Sequence, residues 1–451
     1  MKLLVIYFLV LGFICVRDLF KVKNFDDYVV AGRRQSAPFV FMSLMATVLG
    51  ASATIGIAAR AESIGFAAFW WLGVGAIGFW FQAAFLSKPI HDLDVRTLPE
   101  LAEKTVGKVG RKLVALIIAV SWIGIIAAQF AAVAGFIGLV LGHDAGTLSV
   151  VITAAIVIVY TLLGGQLSVV RTDALQFGIL ALGFVAAVVY LLGGFSGVES
   201  ASVTEFDFSL LNEKFDASDL AMMLFTVGGA YFLGPDVISR NLVAKDASSA
   251  RKAVIAGSFS ILVFSVIIVL LGMWAAQYAP DVASVVSGGG SGAKTNALFR
   301  LASGVLPLPL AALLSVGLLS ALLSSADTCL INSAAIFGSD ILNTRKISVV
   351  RVIVVVIGLI AMVLALGGKD IISLLTMAYS VYTPGIVAPL AVAIIAHKKY
   401  EIRKPFWYAG VCLGGLCGFV PVVYMPHIGI AISLIFALVS LKKRKNESFS
   451  H

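Results

Sequence analysis

Apolar residues along this chain gather into long runs rather than into the short amphipathic periods of a soluble fold. A helix needs about 20 such residues to cross a bilayer. Runs of that order recur near 1–16, 38–61, 66–87, 112–141, 147–164, 169–194, 220–239, 252–278, 307–338, 347–367, 371–396, 405–423 and 426–441, separated by short, mostly basic stretches. The pattern predicts thirteen transmembrane helices. In the run 307–338 one helical face turns polar: Ala321, Ser324 and Ser325 stand at i, i+3 and i+4, and Asp327 and Thr328 extend the stripe. An ionisable residue at that depth points to a functional site.

Composition agrees. Sixty per cent of the 451 residues are hydrophobic and 13% charged, and the mean hydropathy of +1.02 lies outside the range of soluble domains. The first run follows Lys2 but has no small-residue cleavage site after it and a more basic flank on its far side, so it reads as a retained helix. Basic residues alternate between loops. The segments 17–34, 88–112, 169–173, 239–253, 340–351, 397–404 and 442–445 hold 27 of the 33 Lys and Arg, and positive loops stay in the cytoplasm. Glu199, Glu205, Asp207, Glu213, Asp216 and Asp219 crowd the opposite side against a single Lys214. This predicts a multi-pass protein of the cytoplasmic (cell inner) membrane, its N-terminus outside and its C-terminus inside.

The net charge of +9 is therefore inner-leaflet anchoring, about 1 kcal/mol per basic residue near anionic lipid, and no sign of a nucleic-acid partner. Cys15, Cys329, Cys412 and Cys417 fall in apolar runs without a CxxC pair or a nearby His, the pattern of packing residues. No linker or hydrophilic block suggests a second domain. The Gly288–Gly292 stretch marks the longest outer connection.

Two runs make poor continuous helices. The second carries Thr47, Gly50, Ser52, Thr54 and Gly56; the seventh carries Gly228, Gly229 and the breaker Gly234-Pro235. One glycine-rich span is readily explained as a close-packing face. Interruptions at corresponding places in two halves point instead to a transporter of inverted repeats with its site near the bilayer midplane. The expected division is an additional helix and loop over 1–34, a first repeat over 35–219, a second over 220–396, and two additional helices with a basic tail over 397–451.

Four segments, in order, resemble the sodium/solute symporter family: Asp26 to Arg33 (DDYVVAGR), Tyr160 to Gln166 (YTLLGGQ) leading to Arg171 to Gln176 (RTDALQ), Ser239 to Asp246 (SRNLVAKD), and Ser324 to Asp327 (SSAD). The resemblance implies a leucine-transporter type of fold: ten core helices in a 5+5 inverted repeat, with one helix before and two after. It also implies a sodium site, with the backbone carbonyls of Ala46, Leu49 and Ala321 and the hydroxyls of Ser324 and Ser325 as ligands. The chemistry is consistent. A dehydrated monovalent cation needs oxygens, which carbonyls at an unwound helix and hydroxyls one turn apart supply, and Gly50 follows Leu49 where the break is needed. The alternative for the serine pair is bonding back to carbonyls four residues earlier.

Some family members hold a second sodium ion, and that correspondence falls on Asp173, Ser324, Asp327 and Thr328. Asp327 stands where those members carry a hydroxyl, and two carboxylates around one monovalent cation require a proton or a further cation. Gly50, Ser52 and Thr54 beyond the break, with Phe79 and Gln129, are candidates to line the substrate pocket, or else they pack. No Lys or Arg is expected at mid-depth in the core spans, which disfavours a strongly acidic solute. The function expected is sodium-coupled import of a small organic solute, sodium being the one ion called for. Proton coupling through Asp173 and Asp327 is the alternative, and an intramembrane aspartyl hydrolase using the same pair a remote one. A sensor variant would carry a signalling domain beyond Lys445.

Overall fold

The computed structural model describes residues 2–141, 146–193, 206–278, 297–368, 371–396, 399–420, 422 and 424–443. Glu199, Glu205, the Gly288–Gly292 stretch, Arg444 and Lys445 lie outside them. Helix α1 spans Lys2–Leu19 and α2 Phe25–Val30, the latter capped by the Asn24 side chain. The first interrupted run becomes α3 (Ala37–Val48), an unwound step, a wide π turn over Ser52–Gly56, and α4 (Ile57–Ile64). Then come α5 (Trp70–Phe85), α6 (Ser87–Asp92), α7 (Leu98–Val106), α8 (Lys108–Leu141) and α9 (Thr147–Leu192).

The second interrupted run is α10 (Ala217–Met223), a π turn over Leu224–Gly228, α11 (Gly229–Leu233) and α12 (Pro235–Val243). Its break is at Gly234, where φ −58° and ψ 132° leave the helix and Pro235 opens the next one. The remainder is α13 (Ala247–Tyr278), α14 (Ala297–Gly304), α15 (Leu308–Ile336), α16 (Ile347–Leu366), α17 (Ile371–Tyr382), α18 (Ala388–Ala396), α19 (Lys404–Cys417) and α20 (Met425–Val439). Beside the helices, Tyr400–Ile402 and Leu441–Lys443 pair as two short antiparallel strands.

Among the described residues eight helical stretches are long and apolar enough to cross a membrane, and Ala37–Val48 and Met425–Val439 are shorter apolar helices. The expected spans 147–164 and 169–194 run on as α9, broken at Gly165 (φ 55°, ψ −164°). A side chain there would meet the Tyr28 ring at 2.5 Å, so only glycine fits the turn and the approach together.

Helix α15 is the axis of the packing. Every residue from Val316 to Ile336 is buried, and its side chains contribute to both large apolar clusters. One cluster lies with α8, the first half of α9, α16 and α17; the other lies with α3, α4, α5 and α13. A helix enclosed on all sides can carry hydroxyls and carboxylates only where neighbours complete their hydrogen bonds. That requirement brings the interrupted helices α3 and α12 against it.

Candidate functional site

Ser325 on α15 faces the unwound end of α3. Its Oγ donates to the Thr47 carbonyl at 2.8 Å and shares the Ala321 carbonyl at 3.0 Å. The α3 helix ends at Leu49 (φ −80°, ψ 37°). A side chain at Gly50 would stand 2.3 Å from Ser325 Oγ, so the absence of one is what lets the two elements meet. Gln129 on α8 holds the loosened strand by accepting the Ala51 amide at 3.2 Å. The structure thus gathers Ala321, Ser325, Thr47 and Gly50 in one place. Ser324, the next residue round α15, donates instead to Asp173 Oδ1 at 2.6 Å.

Around Asp173 the expectation fails in one respect. Arg240, read from the sequence as part of an inner loop, is fully buried on α12. Its guanidinium donates to Thr47 Oγ1 at 2.8 and 3.0 Å, pairs with Asp173 Oδ2 at 3.1 Å, and bonds Thr328 Oγ1. A core arginine does exist at depth. Short α12 restarts directly after Gly234, so it stays inside the bundle for its whole length instead of emerging as a loop. Ser43 also donates to Asp173, and Arg171 pairs with Asp18 rather than Asp173.

Asp327 and Thr328 complete the group. Thr328 passes the interaction on, donating to Asp327 Oδ1 at 3.3 Å, while Asp327 Oδ2 is buried with no partner among the described residues. One guanidinium therefore serves two enclosed carboxylates.

Between the breaks of α3 and α12 lies a narrow cavity of about 40 Å³, lined among others by Gly50, Ser52, Gln129, Ser325, Trp122, Tyr231, Asp236 and Tyr379. Solute sites run to roughly 300–1,000 Å³, so this one holds a few waters and must widen to admit a solute. Of the pocket residues expected from the sequence, Gly50, Ser52 and Gln129 are on its wall. Thr54 and Phe79 are not: Thr54 is buried and bonds the Gly50 carbonyl at 2.8 Å, and buried Phe79 packs against Tyr231 with ring centres 5.5 Å apart. Trp122, Tyr379 and Asp236 were missed. For Asp236 the signal was present, since it follows Gly234-Pro235 directly.

Comparison with known proteins bears on this arrangement. The model of the sodium:solute symporter family matches residues 28–402. The chain belongs to the sodium:solute symporter family. Relatives include the sodium/glucose cotransporter of Vibrio parahaemolyticus, 28% identical over 71% of this chain and 63% of that one. The sodium/pantothenate symporter of Haemophilus influenzae is 25% identical over 71% of this chain and 66% of that one. The chain thus spans a little under two thirds of their length. Among solved structures, a Na+-coupled sialic acid symporter in a substrate-bound, outward-open state matches 97% of this chain and 98% of its own, with TM-score 0.77 and 16% identity. A nucleobase-cation-symport-1 family transporter matches 91% and 93%, with TM-score 0.60 and 15% identity. These likenesses establish the transporter fold. The family is one of transporters rather than enzymes, and the aspartyl hydrolase reading falls with it; family and apolar helices together make this a multi-pass membrane protein.

Proposed function

We propose that the protein is a sodium-coupled symporter that imports a small organic solute across the cytoplasmic membrane by alternating access. Sodium binds between the unwound end of α3 and α15, at the carbonyls of Ala46, Leu49 and Ala321 and the hydroxyls of Ser324 and Ser325. The observation that carries this reading is the meeting of the Ser325 hydroxyl with the broken helix at Thr47 and Gly50. It sets neutral oxygens from two separate elements side by side, as an alkali cation leaving water requires. The serine does bond back to Ala321 as an ordinary helical serine would, but its second bond, to another helix, goes beyond that.

A second cation position is assigned to Asp173, Ser324, Asp327 and Thr328. Arg240 already bonds Asp173 and Thr328, so a cation there competes with the guanidinium and Asp327 supplies the uncommitted charge. The solute enters between the breaks, over Gly50, Ser52 and Gln129. Thirteen spans arranged as one helix, two inverted repeats and two further helices, with the N-terminus outside, complete the reading.

Energetically, one charge crossing 100 mV gains about 2.3 kcal/mol and a tenfold sodium gradient about 1.4 kcal/mol more. A single sodium ion then supports a solute gradient of roughly 500-fold. The test is uptake into vesicles with sodium replaced by potassium. The Ser324→Ala/Ser325→Ala protein is expected to lose sodium-dependent accumulation while still folding. Undiminished sodium dependence in that variant overturns the assignment.

A further inference from the structure

Asp236 is the one charged side chain on the wall of the cavity. It stands in the first turn of α12, where the helix N-terminus favours a carboxylate. No Lys, Arg or His of the described residues lies within ion-pairing distance of it. Arg240, one turn further along the same helix, is the nearest basic residue in sequence, and its hydrogen bonds go to Thr47, Asp173 and Thr328 rather than to Asp236. With no ion-pair partner among the described residues, the Asp236 carboxylate presents a negative charge to whatever fills the cavity. It lines the space a solute would enter, where a cationic group on the solute can pair with it.

We propose that Asp236 is the specificity-determining residue of this pocket, and that the transported solute presents a protonated or quaternary nitrogen to its carboxylate. The proposal rests on the symporter reading above and names its substrate class. A carboxylate-only solute would set a second negative charge against the one on the cavity wall. The wall favours a cation in another way as well. Trp122, Tyr231 and Tyr379 share it, and aromatic rings attract ammonium groups. Ser52 and Gln129, also on this wall, supply polar groups for the rest of the molecule.

The experiment measures thermal stability of the purified full chain in sodium and, separately, in potassium. Each salt is combined with choline, L-lysine or L-proline, with D-glucose or myo-inositol, and with pantothenate. At least one nitrogen-bearing probe is expected to raise the melting temperature in sodium. Its apparent affinity is expected to weaken tenfold or more in Asp236→Asn and less in Asp236→Glu, which retains the charge. The proposal is overturned if only the polyols or pantothenate stabilise, if no nitrogen-bearing probe does, or if Asp236→Asn and wild type respond alike. Failure of the symporter reading looks different. In that case sodium alone gives wild type no advantage over potassium, whatever the solutes do.

Discussion

A guanidinium taken wholly out of water costs several kcal/mol unless oxygens surround it, and Arg240 finds them on three helices: Thr47 on α3, Asp173 on α9 and Thr328 on α15. Removing the charge alone leaves Asp173 buried and uncompensated. Arg240→Gln is therefore expected to destabilise the protein by about 3–5 kcal/mol, and the double variant with Asp173→Asn to recover most of that, as a melting comparison of the three proteins would show. Gly50 makes a second prediction at this scale. A methyl group at 2.3 Å from Ser325 Oγ must push the serine off the broken helix, so Gly50→Ala should weaken the apparent sodium affinity of uptake tenfold or more. Gly50, Ser325 and Asp173 were legible in the sequence because each is an exception within an apolar run. Arg240 was not: in sequence it sits among polar neighbours that look like any cytoplasmic loop.

Interrupted helices were legible too, since glycine pairs and a proline oppose helix continuation wherever they fall. What the interruption accomplishes depends on what packs against it. Past the break, α12 is tied to α5 and α6 by a polar chain: Gln82 accepts from Asn241 at 3.2 Å, Ser87 donates to Asn241 at 3.1 Å, and His91 Nε2 meets the Asn241 carbonyl at 3.0 Å. Burial lowers the His91 pKa below its ordinary value of 6.5. The unfolded chain therefore takes up the proton first as pH falls, and stability rises with pH wherever the unfolded state binds more protons. The contribution of His91 is full above about pH 6.5 and declines as pH drops through that range. Wild type is expected to lose more melting temperature between pH 7.5 and 5.5 than His91→Gln, which keeps a donor for the Asn241 carbonyl without titrating.

Over the whole molecule, ion pairs join segments far apart in the chain. Arg111 bonds Asp340 at 2.6 Å, Arg345 reaches Glu100 at 3.3 Å, and Arg96 holds Asp26 at 2.7 Å. Asp340 lies just past α15, so these contacts clamp α7 and the start of α8 to the end of the helix that carries the serines. Cys329 is buried and lines the cavity, which makes it a reporter. With Cys15, Cys412 and Cys417 replaced by serine, Cys329 should react slowly with a water-soluble thiol reagent, and severalfold faster once Arg111→Gln loosens the clamp. By itself the sequence determined that the chain lives in a membrane, where its helices break and which family it belongs to, because run length, helix breakers and ordered motifs are properties of neighbouring residues. Only the tertiary structure decided that Arg240 shares its charge with Asp173, that Thr54 and Phe79 pack, and that Asp236 stands unpaired on the cavity wall. Those facts depend on which side chains from distant segments enclose one another, and burial sets the strength of every charge among them.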